Sequence, residues 1–154
     1  MSSNRRFLLD TNIVLALVRG NALAMQIDAT YKLRASRVRP MISVVTHGEV
    51  RVLASRNGWG EKKLGALQHA LDNLVTVDVY HPSVLDAYVE IDIYSQSHAT
   101  GARNMGKNDL WIAACAKAVG ATLITTDHDF SHLDPDLLAV ECVTPDPRGS
   151  NKKP

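Results

Sequence analysis

The sequence predicts an α/β fold: a mainly parallel sheet of four to five strands, flanked by helices, in one domain over residues 1–143. Three observations lead there. Short apolar runs of strand length alternate with longer stretches of helical periodicity. Two of the runs, at 41–45 and 121–125, have the branched residues and length of strands buried on both faces. Acids stand just beyond strands or at helix starts, and the carboxyl edge of an open parallel sheet is where ligands bind.

The chain opens with Phe7-Leu8-Leu9, a strand, which meets Asp10-Thr11-Asn12 and resumes as an apolar helix from Ile13. Asp10 therefore falls at a strand end, where Thr11 and Asn12 can bond its carboxylate or cap the helix. Arg19-Gly20-Asn21 breaks that helix. Residues 22–37 read as a second helix, with Leu23, Ile27, Tyr31 and Leu33 inward, closing in a basic cluster before Pro40. The strand 41–45 leads to Thr46, an N-cap for a helix over 47–56. Thr46 and Glu49 have capping-box spacing, which is the structural explanation of Glu49.

Residues 60–73 suggest a helix with Leu64, Leu67 and Leu71 on one face, followed by a strand at 74–79. Pro82, tolerated in a first turn, introduces a helix to about residue 97, with Val84, Leu85, Tyr88, Ile91 and Tyr94 as its inner stripe. After a glycine-containing loop, 110–119 is apolar on nearly every side and reads as a buried helix capped by Gly120. Asp109 is polar where polarity is least expected. The strand 121–125 runs into Thr126-Asp127, so Asp127 repeats the strand-end placement of Asp10. Each acid also has an ordinary use: Asp109 as a first-turn residue behind an Asn108 cap, Asp127 as a turn former. A short turn at 130–133 and an edge strand at 137–143 complete the domain, and 144–154 reads as a mobile basic tail.

At 154 residues and 45% hydrophobic content, the chain suits one domain with a substantial core. It has no run of membrane-span length and no secretory leader, which predicts a cytoplasmic protein without membrane partners. Cys115 and Cys142 lack CxxC spacing and read as free thiols. His128 and His132 have i, i+4 spacing but no second pair of soft ligands, so they read as surface residues and not a zinc site. The net charge of +1 hides grouped arginines and lysines against isolated acids, the pattern of a basic rim around an acidic centre.

Strand-end and helix-start placement lets Asp10, Glu49, Asp109 and Asp127 converge. Four carboxylates in one crevice repel strongly unless they hold a hard cation, Mg2+ or Mn2+, and oxygen-only ligation suits phosphoryl chemistry. The stretches FLLDTNIVL, SVVTHGEV, GKNDLWIAACA and LITTDHDF, in that order across nearly the whole chain, resemble the four acidic motifs of the PIN-domain nucleases. Within that family the resemblance is to the VapC-type toxins of bacterial toxin–antitoxin pairs. It implies that Asp10, Glu49, Asp109 and Asp127 are the catalytic, metal-binding acids, with Thr11, Asn12, Asn108 and Thr126 in support and Asp129 a lesser acidic position.

The implied reaction is endonucleolytic hydrolysis of RNA, with water attacking in line to leave a 5′-phosphate and a 3′-hydroxyl. Asp10 and Asp127 would lead as ligands and Asp109 would complete the site. Glu49 would either hold a second ion or orient the water. Arg5, Arg103 and Lys107 flank the motifs and are candidates for RNA phosphates. Structured RNA such as tRNA or ribosomal RNA, a cognate antitoxin whose C-terminal segment crosses the groove, and a homodimer are the implied partners. Two other readings compete. A phosphoacceptor receiver domain needs an adjacent acidic pair after its first strand, which Asp10-Thr11-Asn12 does not supply. A non-catalytic PIN-like module that binds RNA or a partner is opposed by the presence of all four acids.

Overall fold

The computed structural model describes residues 5–98 and 104–146. In chain order the elements are β1 (Phe7–Leu9), α1 (Thr11–Arg19), α2 (Ala22–Tyr31), β2 (Met41–Ser43), α3 (Val44–Arg56), α4 (Glu61–Asp72), β3 (Val75–Val77), α5 (Pro82–Gln96), α6 (Lys107–Val119), β4 (Thr122–Thr125) and β5 (Val140–Cys142). Two 3-10 segments, Leu33–Ala35 and His128–Leu133, join them. The five strands form one parallel sheet in the order β3-β2-β1-β4-β5, as the predicted fold class requires.

Period-two alternation divides the core between the two sheet faces. Leu8, Met41 and Leu123 turn to one face and pack with Val84, Ala87 and Ile91 of α5 and Leu110, Ile112 and Ala113 of α6. Phe7, Leu9, Ile42 and Ile124 turn to the other, against Ile13 and Val14 of α1, Ile27 of α2, Val50 of α3 and Leu67 and Leu71 of α4. With both faces covered, β1, β2 and β4 need apolar residues at nearly every position, and all of Phe7, Leu8, Leu9, Met41, Ile42, Leu123 and Ile124 are buried. β1 lies between β2 and β4, so the chain leaves the central strand in one direction and returns on its other side. That reversal opens a crevice at the carboxyl ends of β1, β2 and β4.

Several local expectations need correction. The helix expected at 47–56 begins earlier, at Val44, because Ser43 is its N-cap and accepts from Val45 N at 3.1 Å. Thr46 is thus inside the helix, fully buried, and the Thr46–Glu49 capping box does not form. The helix expected over 22–37 stops at Tyr31, where Lys32 takes a left-handed conformation with φ 52°. Leu64 and Leu85 are exposed, 44% each, and the inner positions of α5 are Val84, Ala87, Ile91 and Ser95. α6 is capped by Gly106, not Asn108, while Gly120, at φ 66°, does close it. His128 is exposed as expected, but His132 is half-buried, its Nε2 2.8 Å from Ser95 Oγ. Of the expected tail, residues 144–146 are held by Gln26, whose Nε2 donates to Thr144 O and whose Oε1 accepts from Asp146 N. Residues 147–154 lie outside the described ones. Both cysteines are free thiols. Among the described residues no single helix is long and apolar enough to cross a membrane.

Candidate metal centre

Asp10 follows β1 directly, with its backbone N–H held by Ile124 O at 2.9 Å, so the sheet itself fixes its position. It is also the N-cap of α1: Oδ1 accepts from Thr11 N at 2.7 Å. Oδ2 accepts from Thr125 Oγ1 at 2.6 Å. Only 5% exposed, Asp10 has its pKa raised by burial. The two hydrogen bonds pull it back down, and the charges of Glu49 and Asp127 push it up again.

Thr125, fully buried at the end of β4, serves two acids at once. Its hydroxyl donates to Asp10 and accepts from Asp127 N at 2.9 Å. The hydroxyl in this role belongs to Thr125 and not to its neighbour Thr126, the supporting residue expected from the motif. A hydroxyl two residues before the acid, directly after the apolar pair Leu123-Ile124, is the available signal. Thr125→Val, close in shape, leaves a buried carboxylate oxygen without its donor. It is expected to lower stability by about 1–3 kcal/mol in urea unfolding.

Glu49 reaches the crevice from α3. Its Oε1 accepts from Thr11 Oγ1 at 2.6 Å and its Oε2 from Asn108 Nδ2 at 3.2 Å, so three elements meet on this carboxylate. Asp109 is in the first turn of α6, where the N-terminal end of the helix favours negative charge. Its pKa is nevertheless raised to about 6, first by burial and then by the charges of Asp10, Asp127, Glu49 and Asp129. Asp127 lies two residues past β4 and caps the following 3-10 segment by accepting from Asp129 N at 2.8 Å. It therefore forms the turn that a structural reading would assign it, and faces Asp109 as well.

The tightest grouping is Asp109, Asp127 and Asp129, each offering one oxygen within 4.8 Å of the others. Asp129, ranked below the other acids from sequence, belongs to this trio, and Asp10 and Glu49 stand outside it. The separation is one of distance and not of field, since Asp10 and Glu49 both act on the Asp109 charge. An all-oxygen donor set under mutual repulsion, partly buried and open at Asp129, fits a hard divalent cation such as Mg2+ or Mn2+. Asn12 is exposed and Thr126 half-buried, and among the described residues neither side chain bonds an acid.

The basic candidates are scattered. Lys107 is exposed on the first turn of α6, two residues from Asp109. Arg5 precedes β1, at the end of the strand away from the acids, and its Nη2 is 2.6 Å from Glu141 Oε2. That end of the sheet gives it no route to the crevice. Arg103 lies outside the described residues. Arg34, Arg37 and Arg39 line a groove of about 830 Å3 beside Pro40 and Leu74, at the amino ends of β2 and β3. The expected basic rim around the acids is therefore not formed by these three. The groove is at the wrong end of the sheet for the carboxylates' chemistry.

Comparison with known proteins gives the same architecture. The PIN domain family matches over residues 7–135. VapBC2 from Rickettsia felis, bound to a DNA fragment from its promoter, superposes with a TM-score of 0.71 at 22% identity, covering 89% of this chain and 98% of that one. VapBC-5, a toxin–antitoxin member from Mycobacterium tuberculosis, gives 0.61 at 26% identity, with 90% and 97% covered. VapBC-1 from nontypeable Haemophilus influenzae gives 0.66 at 21%, with 89% and 97% covered. No curated protein matches the chain.

Proposed function

Because the chain belongs to the PIN domain family, we propose that it is a metal-dependent endoribonuclease and the toxin half of a VapC-type toxin–antitoxin pair. The observation that carries this is the convergence of Asp10, Glu49, Asp127 and Asp129, from three separate segments, on Asp109, where burial first and these charges second leave a carboxyl group poised near pH 6 in a crevice of the sheet. A fold built around unrelieved repulsion is costly without a bound cation to neutralise it.

Asp109, Asp127 and Asp129 would hold the ion, with Asp10 behind them, fixed by Thr11 and Thr125. When bound, Mg2+ or Mn2+ polarises a phosphate and lowers the pKa of water. The chain's own residues do the rest. Thr125 and the β1 backbone prevent Asp10 from turning away. Asn108 and Thr11 occupy one lone pair on each Glu49 oxygen, leaving the others directed by two fixed donors and able to orient a water for in-line attack. Lys107 is placed at the helix start to meet a substrate phosphate.

The activity is proposed to be cytoplasmic, where its proposed substrates, structured RNAs such as tRNA or ribosomal RNA, are found. The antitoxin's proposed role is to lay a C-terminal segment over the crevice with an arginine toward Asp129, the exposed acid of the trio. The toxin is proposed to act as a homodimer. Purified protein is expected to cut RNA with Mn2+ and not with EDTA, leaving 5′-phosphate ends on sequencing. RNA that is bound but uncut at millimolar Mn2+ would identify a non-catalytic module. Co-expression with the neighbouring reading frame is expected to yield a complex and to relieve growth inhibition. Light scattering across micromolar concentrations checks the dimer, and a monomer throughout would remove it.

A further inference from the structure

Thr46 is fully buried in α3, three residues before Glu49, and its Oγ1 is 3.1 Å from Thr11 Oγ1. By distance alone either hydroxyl could donate. The Thr11 hydroxyl has one hydrogen, however, and at 2.6 Å from Glu49 Oε1 that hydrogen goes to the carboxylate. Thr46 must then be the donor, and Thr11 the acceptor. The protons run in one direction: Thr46 O–H to Thr11 O–H to Glu49.

We propose that Thr46 is a positioning residue for Glu49, acting through Thr11 without touching the carboxylate. A hydroxyl that accepts a hydrogen bond becomes a stronger donor, because each bond in a chain polarises the next, and the effect is larger away from water. Thr46 also removes the rotational freedom of the Thr11 hydroxyl, so its hydrogen stays aimed at Glu49. The two threonines come from different elements, α1 and α3, and the relay locks the helix that carries Glu49 to the turn that follows Asp10. The consequence for chemistry rests on the nuclease reading; the relay does not.

The test has two independent arms. In EDTA, urea unfolding of wild type, Thr46→Val, Glu49→Ala and the double variant forms a thermodynamic cycle. Thr46→Val is expected to have a different effect on stability once Glu49 is absent, and Thr46→Ser is expected to behave as wild type in both backgrounds. Additive effects would mean that Thr46 merely fills space, and the proposal would fall. In the second arm, Thr46→Val is expected to leave Mn2+ binding, followed by electron paramagnetic resonance, unchanged, because Asp109, Asp127 and Asp129 would hold the ion and Glu49 would orient the water. In RNA cleavage it should lower kcat about 10-fold with KM unchanged, the lower end for a residue acting behind a site's working groups, and Thr46→Ser should restore kcat. A coupled cycle in a protein that neither binds Mn2+ nor cuts RNA would uphold the relay and overturn the nuclease reading. A changed KM with unchanged kcat would overturn the positioning role and leave the nuclease reading intact.

Discussion

Asp109→Asn is expected to abolish the proposed RNA cleavage, as are Asp10→Asn and Asp127→Asn, each with a loss of more than about 100-fold, the upper range for residues behind the direct ligands of a metal. Asn is close to Asp in shape, so the change removes charge without leaving a cavity. The three should differ in secondary effects. Asp10 is 5% exposed and accepts two hydrogen bonds, so Asn there must present an amide N–H2 to one of two donors and should also lower stability. Among the described residues Asp109 carries no such network, and its variant should lose activity without losing stability. Cleavage assays on rigorously purified variants, beside growth curves during expression, decide the point. Wild-type rates in all three would remove the assignment of the site.

The second large effect is on stability. Asp109 has a folded pKa of about 6 against an ordinary 3.8. The folded protein therefore binds its proton more tightly than the unfolded chain does, and the ionised form is a destabilising element at neutral pH. The cost of that charge, from burial first and from repulsion by the other acids second, is fully present above pH 6. It is relieved as pH falls through about 6, and the gain is complete near 3.8, apart from other carboxylates that favour ionisation and begin to protonate there. Metal-free protein should thus gain stability on mild acidification from pH 7, opposite to the usual course of acid unfolding. Asp109→Asn should raise the melting temperature in EDTA, by roughly 2–4 °C for each kcal/mol relieved in a domain of this size. It should also flatten the pH dependence. Mn2+ at 100 times its dissociation constant should stabilise wild type by about 2.7 kcal/mol and the variant by much less. A wild type indifferent to millimolar Mn2+, with a variant less stable in both buffers, would reduce the acids to caps and turn formers.

The fold class could be read from the chain because its signals are local. Leu8, Ile42 and Leu123 sit in runs too apolar for any half-solvated strand, and Gly120 ends a helix whose length is plain from its pattern. The acids were readable for the same reason: their place just after a strand or at a helix start depends on near neighbours. What escaped depends on strand pairing. Thr125 bonds Asp10 only because β4 lies beside β1, and nothing near either residue announces that neighbour. Thr46 looked like a helix cap because Ser43, still within the strand, does the capping. Arg5 looked close to Asp10 in sequence, yet a three-residue strand carries them to opposite ends of the sheet. Asp129 entered the trio through the 3-10 turn that Asp127 itself creates.

The place of β1 between β2 and β4 also governs when the site can come into being. Asp10 and Thr125 are 115 residues apart, so a ribosome makes the first acid long before the hydroxyl that fixes it. Until β4 is made, β1 has one open edge and Asp10 has only the Thr11 amide. Closing so long a loop is slow, because entropy is lost before any contact rewards it. The acidic crevice is therefore incomplete until β4 has been made, and any chemistry that needs Asp10 held in place is withheld through most of translation.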